Sequence, residues 1–328
     1  MNIASTAAAA AFGVAILAGS AGAQELKYAN WAPPMHTINA AQMEPLAEAL
    51  SEGTDGAVTL RGFHGGELGA GPADQFVRVL QGTADMGWGV QAYTSSQFPK
   101  SLILELPGAL PLDRPGHAAL WRAFESGEIS DEYPRTEVLA LWASEPNILM
   151  MRDTEIRSPE DLRGLKIRVA GSISADAMEA LGATPVQFPM TQVYNGLQTG
   201  LIDGVISGAS VLSDFKLNEV VDSVTTGPNF GRTAFYTVMN QGAYDGLSDE
   251  AKAALDEIKG APISQMTEEA WIATADAALE AARESDSTTV IELESAEADA
   301  FNEALAEVTD AYVAEVGGDA TLQAIQAE

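Results

Sequence analysis

The chain contains no cysteine, three histidines and few cations: 17 Lys and Arg against 47 Asp and Glu in 328 residues. The missing thiols exclude a disulfide framework, thiolate zinc sites, iron–sulfur clusters and a cysteine nucleophile. A formal charge of −30 repels phosphate backbones and anionic lipid, so neither nucleic acid nor a membrane surface is expected as a partner. His36, His64 and His117 lack metal-ligand spacing, and the residues give no reason to expect a metal or a cofactor. Two catalytic signatures are also incomplete. His64-Gly65-Gly66 looks like an esterase oxyanion loop, but the chain has no Gly-x-Ser-x-Gly elbow. Gly66-Glu67-Leu68-Gly69-Ala70-Gly71 has the glycines of a nucleotide loop in the wrong order. Pro72 and Asp74 follow where phosphate would need free N–H groups, so the stretch reads as a tight strand-to-helix turn.

What is present supports a folded chain of two lobes. Hydrophobic residues make up 46% of it and mean hydropathy is +0.01, enough for real cores. A chain of 328 residues exceeds what one core usually organises. Residues 1–23 carry no charge; Ala7–Ala18 is an apolar run, and Ala21-Gly22-Ala23 is an A-x-A cleavage signal. They read as a signal peptide, with Gln24 as the mature start and the periplasm as destination. The run is shorter than the roughly 20 residues of a membrane span. No later stretch is long and apolar enough to cross a bilayer, so the mature chain is expected to be soluble.

Short β-like runs alternate with helical patterns, which indicates an α/β architecture. Strands are expected over 25–30, 58–63, 84–89, 138–143 and 148–151, then over 166–169, 184–188, 201–206 and 233–240. Ser158 and Asp161 form a capping-box pattern, and glycines stop the helices at Gly82, Gly182 and Gly200. A long helix is expected over about 264–284, with further helices over 248–259, 299–316 and 321–326. Leu80-Gln81-Gly82 leading to Asp85-Met86-Gly87 is echoed by Leu197-Gln198-Thr199-Gly200 leading to Asp203-Gly204, which suggests two similar lobes. The expected division is a first lobe of 24–145 plus 233–262, a second of 146–232 plus 286–328, and a lobe-spanning helix over 263–285.

The run Ser158-Pro159-Glu160-Asp161-Leu162-Arg163-Gly164-Leu165-Lys166-Ile167-Arg168-Val169 is followed by Ala180-Leu181-Gly182-Ala183-Thr184-Pro185-Val186. After it comes Val193-Tyr194-Asn195-Gly196-Leu197-Gln198-Thr199-Gly200-Leu201-Ile202-Asp203-Gly204. This series closely resembles the solute-binding subunits of TRAP transporters, the DctP-like family. Gly65-Gly66-Glu67-Leu68-Gly69 and Gly82-Thr83-Ala84-Asp85 extend the resemblance over essentially the whole mature chain. It implies a bilobal periplasmic-binding-protein-like fold that closes on an organic acid and delivers it to small and large membrane subunits. It also implies a binding protein, not an enzyme, acting as a monomer. In some relatives Na⁺ or Ca²⁺ lies beside the ligand.

The family's signature arginine maps onto Arg168. From the residues alone Arg168 has two readings, an internal ion pair with one of the acids or contact with an anionic ligand; the resemblance selects the second. A guanidinium offers a planar fork for both oxygens of a carboxylate and keeps its charge when desolvated. By the same resemblance a second arginine and an asparagine of well-known members map onto Ile148 and Ser207. One charged clamp instead of two favours a monocarboxylate, apolar or aromatic. Trp31, Phe63, Trp88 and Tyr93 lie at or just after strand ends, where α/β crevices receive ligands. Asn229 and Phe230 precede the strand that crosses back. Together they are the expected apolar walls, with Trp121, Trp142 and Trp271 expected in cores. The competing readings are a receptor feeding a sensor protein, and a periplasmic hydrolase or lyase working through Glu105 or Glu145.

Overall fold

A computed structural model describes residues 23–69 and 71–327. The expected signal peptide lies outside these residues save for Ala23. The strands are β1 (Gln24–Ala29), β2 (Val58–Phe63), β3 (Met86–Val90), β4 (Thr136–Ala143), β5 (Ile148–Met151) and β6 (Lys166–Val169). They continue as β7 (Thr184–Gln187), β8 (Gly204–Ser207), β9 (Ser223–Thr226), β10 (Ala234–Asn240) and β11 (Thr289–Glu292). They form two sheets, β2-β1-β3-β10-β4 and β11-β9-β5-β8-β6-β7. In each, one strand runs antiparallel among parallel neighbours: β10 between β3 and β4, and β5 between β8 and β9. The architecture is α/β and bilobal, as the pattern of the sequence suggested.

The internal echo has a structural counterpart. Lys27 N–H donates to Asp85 Oδ2 at 2.8 Å, and Lys166 N–H donates to Asp203 Oδ2 at 2.8 Å. Each aspartate's own N–H returns to the same lysine's carbonyl, at 3.0 and 2.8 Å. The acidic residue after the glycine stop therefore ties a helix-to-strand turn to the parallel strand beside it, β1 in one lobe and β6 in the other. The Ser158–Asp161 capping box is made, at the start of a short 3₁₀ helix, Pro159–Leu162.

The chain crosses between the sheets at 144–147 and at 227–233, and the two crossings pair. Ser144 N–H donates to Thr233 O at 2.8 Å, and Asn147 N–H to Gly231 O at 2.9 Å. Gly231 sits at φ +75°, and a Cβ there would lie 1.9 Å from the Glu105 carbonyl, so no other residue fits. The long helix, Ala261–Glu284, is about 36 Å long at 1.5 Å per residue and packs against β4 in one lobe and the Val211–Asp214 helix in the other. Its Glu268, buried, accepts N–H groups from Gly116, His117 and Ala143. One departure concerns the C-terminus, expected in the second lobe. The helix Asp319–Gln326 packs on the first-lobe helix Gly116–Glu125, where Arg122 donates to the carbonyls of Ala324 and Ile325 at 3.2 and 3.0 Å.

Candidate functional site

Between the lobes lies a small cavity with about 40 Å³ of free space, room for a few water molecules. Its first-lobe wall is aromatic. β1 ends at Asn30-Trp31, and β3 carries Trp88. Asn30 fixes this corner: its Oδ1 accepts from Trp88 Nε1 and from Ala32 N–H, both at 2.9 Å, while its Nδ2 donates to Asn39 Oδ1 at 2.7 Å. The Trp31 ring stacks on Trp88 with centroids 4.5 Å apart and, on its other side, lies near parallel to Phe215 of the second lobe at 6.0 Å. Phe235 of β10 and Trp271 of the long helix complete the wall.

The second-lobe wall carries the charge. On β6, Ile167 and Val169 point into a core cluster with Leu149 and Leu181, so alternation turns Arg168 to the cavity. Arg168 is 1% exposed. Nε donates to Phe188 O at 2.8 Å, and Nη2 reaches the Tyr93 hydroxyl at 3.3 Å. Among the described residues no Asp or Glu forms an ion pair with it. Burial lowers its pKa, with the Tyr93 hydroxyl working in the opposite direction. Taking a cation out of water costs several kcal/mol unless an anion compensates it, and here the chain supplies none. Tyr93 also accepts from Met190 N–H at 2.9 Å, so one hydroxyl of the first lobe holds two groups of the second. Ser207, Ser210, Ser144 and Thr233 add hydroxyls to the lining.

The structure brings Arg168, Trp31, Trp88, Tyr93 and Ser207 together around this cavity and leaves the other four expected residues elsewhere. Phe63 ends β2, which is the outer strand of its sheet, and its ring lies under Arg61 at 4.7 Å. Ile148 pairs with Ser207 in the β5–β8 register but lines a different cavity. Asn229 is a brace, donating to Leu110 O at 3.1 Å and accepting from Gly231 N–H at 3.1 Å. Phe230 is buried edge-on against Phe301 at 5.7 Å. Arg152 is engaged at the surface by Asp153 and Leu197 O. Trp271 is buried in the core, as expected, and also lines the cavity; His36, Met190, Phe215 and Phe235 join it without any sequence signal that marked them.

His36 is neutral: burial lowers its pKa to about 3. Its Nδ1 accepts from Ile38 N–H at 3.1 Å, which assigns the ring proton to Nε2. Glu105, fully buried, accepts from Ala234 N–H at 2.8 Å and lines neither cavity.

The second cavity, about 600 Å³, lies on the other side of the crossing segments. It is larger but chemically wrong for an anion. Asp113, Glu145, Glu268, Glu269 and Asp276 line it, and its two guanidiniums are bonded to main-chain carbonyls, with Arg232 Nε left unpaired. Arg114 donates to the carbonyls of Gln326 and Ala327, and Arg232 to those of Ser144 and Leu112.

Comparison with known proteins agrees with this architecture. Residues 28–315 match the family model of bacterial extracellular solute-binding proteins, family 7. The ectoine-binding periplasmic protein TeaA of Halomonas elongata is 28% identical over 72% of this chain and 73% of its own length. The C4-dicarboxylate-binding periplasmic protein DctP of Rhodobacter capsulatus is 32% identical over 58% of this chain and 56% of its own. Among solved structures, a TRAP solute-binding protein from Bordetella bronchiseptica with bound (R)- and (S)-mandelate is 27% identical and superposes with a TM-score of 0.83, covering 92% of this chain and 97% of that one. The TRAP solute-binding protein of Rhodoferax ferrireducens solved with benzoate, 23% identical, shares the fold at a TM-score of 0.84 over 92% of this chain and 96% of its own. The chain belongs to family 7 of the bacterial extracellular solute-binding proteins, the periplasmic DctP-type subunits of TRAP transporters, which capture a solute for membrane partners and are not enzymes.

Proposed function

We propose that the chain captures a small organic monocarboxylate, aromatic or apolar in its body, with the carboxylate on Arg168 and the body among Trp31, Trp88 and Phe215. The observation that carries this reading is the buried guanidinium without an internal acid. A carboxylate seated there would restore neutrality to a region that otherwise holds an uncompensated ion, and would do so bidentately.

The charge count supports one negative group. Arg168 is the single Lys or Arg in the lining, which argues against a dicarboxylate. Among the described residues no Asp or Glu lines the cavity either, so a zwitterion's cation would meet aromatic faces and no counter-charge. Stacked aromatic faces supply area and flat contact for a ring or alkyl body. Mandelate bound by the relative from Bordetella bronchiseptica is of this class.

Mass spectrometry of ligand released from the purified protein, followed by thermal-shift titration with mandelate, benzoate, ectoine and succinate, tests the reading. A true cargo at about 100 times its Kd raises stability by about 2.7 kcal/mol. Preference for succinate or ectoine over both monocarboxylates would overturn it.

A further inference from the structure

Trp31 is 5% exposed, and its Nε1 is buried with no hydrogen-bond partner. An indole N–H can only donate, and a buried one ordinarily finds an acceptor. The rings around it cannot supply one. Trp88 and Phe215 lie near parallel to Trp31, at 28° and 17°, so they cover its faces, whereas the N–H leaves in the plane of the ring. Tyr93 and His36 are the tilted neighbours, with ring centroids 6.1 and 6.4 Å away, and both are spent as acceptors. His36 Nδ1 is taken by Ile38 N–H, and its Nε2 carries the proton. The Tyr93 oxygen already receives Met190 N–H at 2.9 Å and Arg168 Nη2 at 3.3 Å.

The same wall holds two more uncommitted donors. Among the described residues neither the Tyr93 hydroxyl proton nor Arg168 Nη1 is taken up by a hydrogen bond. A carboxylate seated on the guanidinium uses both, because the guanidinium and the Tyr93 hydroxyl are in contact and a carboxylate accepts at several lone pairs. Trp31 stands one ring further along, beside Tyr93, and its donor is left over. Trp142 Nε1 is also unpaired, but Trp142 lines neither cavity, so no cargo reaches it.

Building on the monocarboxylate reading above, we propose that the Trp31 indole N–H is a specificity determinant that donates to an oxygen on the α-carbon of the cargo, so that the preferred solutes are α-hydroxy and α-oxo acids. Hydroxyl and ketone oxygens both accept. A cargo that lacks this oxygen buries the N–H unpaired and is rejected on that account. Arg168 and Tyr93 hold the acid group that every candidate carries, and Trp31 chooses among the candidates.

Mandelate, phenylglyoxylate and phenylacetate share a ring and a charge and differ only at the α-carbon, which bears a hydroxyl, a ketone and no oxygen respectively. Calorimetric titration into the wild type should give affinities about tenfold tighter for the first two than for the third. Trp31→Phe keeps a flat apolar ring without the N–H. Whatever the smaller ring costs falls on all three acids, and the preference should vanish. If that variant folds poorly, nuclear magnetic resonance of the wild type with heavy-nitrogen indoles gives a second reading. The Trp31 signal, assigned by its through-space contact with Phe215, should move downfield with mandelate and not with phenylacetate, while the Trp142 signal stays. A preference that survives Trp31→Phe would mean that the N–H serves only water, and equal wild-type affinity for mandelate and phenylacetate would mean that no oxygen is read there. Either result overturns the proposal and leaves the monocarboxylate reading standing, whereas failure of all three acids to bind overturns both.

Discussion

The two lobes share a framework and differ in what they present to the cleft. Lys27 and Lys166 occupy matching places, each tied to an aspartate after a glycine-stopped helix. Two residues further on, the first lobe has Ala29 and the second has Arg168. Ala29 packs beside Gly87 of β3, and the charge that could have stood there is absent. The first lobe instead brings indoles, Trp31 and Trp88, oriented by Asn30. On the proposed reading recognition is divided: Arg168 of one lobe reads charge, and the indoles of the other, with Phe215 facing them, read shape. A cargo that satisfies only one of them meets half a site, so selectivity is completed only when the halves meet.

The largest expected effect comes from erasing the charged half. Arg168→Met should weaken binding by about 2–5 kcal/mol, the usual cost of removing one partner of a buried charge pair. The same substitution should leave the ligand-free thermal midpoint unchanged or raised, since it removes a buried ion that no acid of the chain compensates. Calorimetry and a melting curve on one sample check both; a large loss of ligand-free stability would mean that Arg168 is structural.

Next comes the seam between the lobes. A Cβ on Gly171 of the second lobe would lie 2.5 Å from the carbonyl oxygen of Ala92 in the first. Gly171→Ala should therefore cost about 1–3 kcal/mol of closure, read as a faster ligand off-rate with ligand-free stability intact. Touching the aromatic half is gentler. Phe215→Leu keeps apolar bulk but loses the face that parallels Trp31, worth about 0.5–1.5 kcal/mol of affinity for an aromatic acid. An apolar acid without a ring should lose less, and equal losses would detach Phe215 from the cargo.

A separate effect concerns stability and pH. Burial pushes Glu105 up to about 8 and Glu145 to about 7, against about 4.3 for an unfolded glutamate. Between those values the folded chain holds protons that the unfolded chain has released. Stability contributed by these groups is therefore greatest at the acid end of the window and is lost as pH rises through about 8. Melting temperatures between pH 5 and 8 should decline, and Glu105→Gln should flatten the slope; an unaltered slope would show that Glu105 does not titrate there.

Much of this architecture is legible in the sequence because its punctuation is local. The glycine stops, the Ser158–Asp161 box and the alternation that turns Arg168 away from Ile167 and Val169 all act within a few residues. Two strands were not legible. β9 is short and hydroxyl-rich, and β11 pairs with it from 66 positions away in register, so neither carries an apolar pattern of its own. The aromatic walls were half legible. Residence at a strand end selects Trp31 and Trp88, but it also selects Phe63, because sequence does not reveal that β2 is the outer strand. Trp271 is a different case. On a helix its spacing is that of a core residue, which it is, and only the packing of that helix across both lobes also makes it part of a wall. Phe215 lies in a loop with no pattern at all.

The paired crossings have a kinetic meaning. Because Ser144 bonds Thr233 and Asn147 bonds Gly231, the two connections behave as one two-ply leaf spring, stiff to twisting and sliding and soft to bending. A spring of that kind leaves the lobes a single swing to search, so an arriving solute does not have to freeze a tumbling partner. Most of the orientation entropy of capture is then already removed before the cargo arrives.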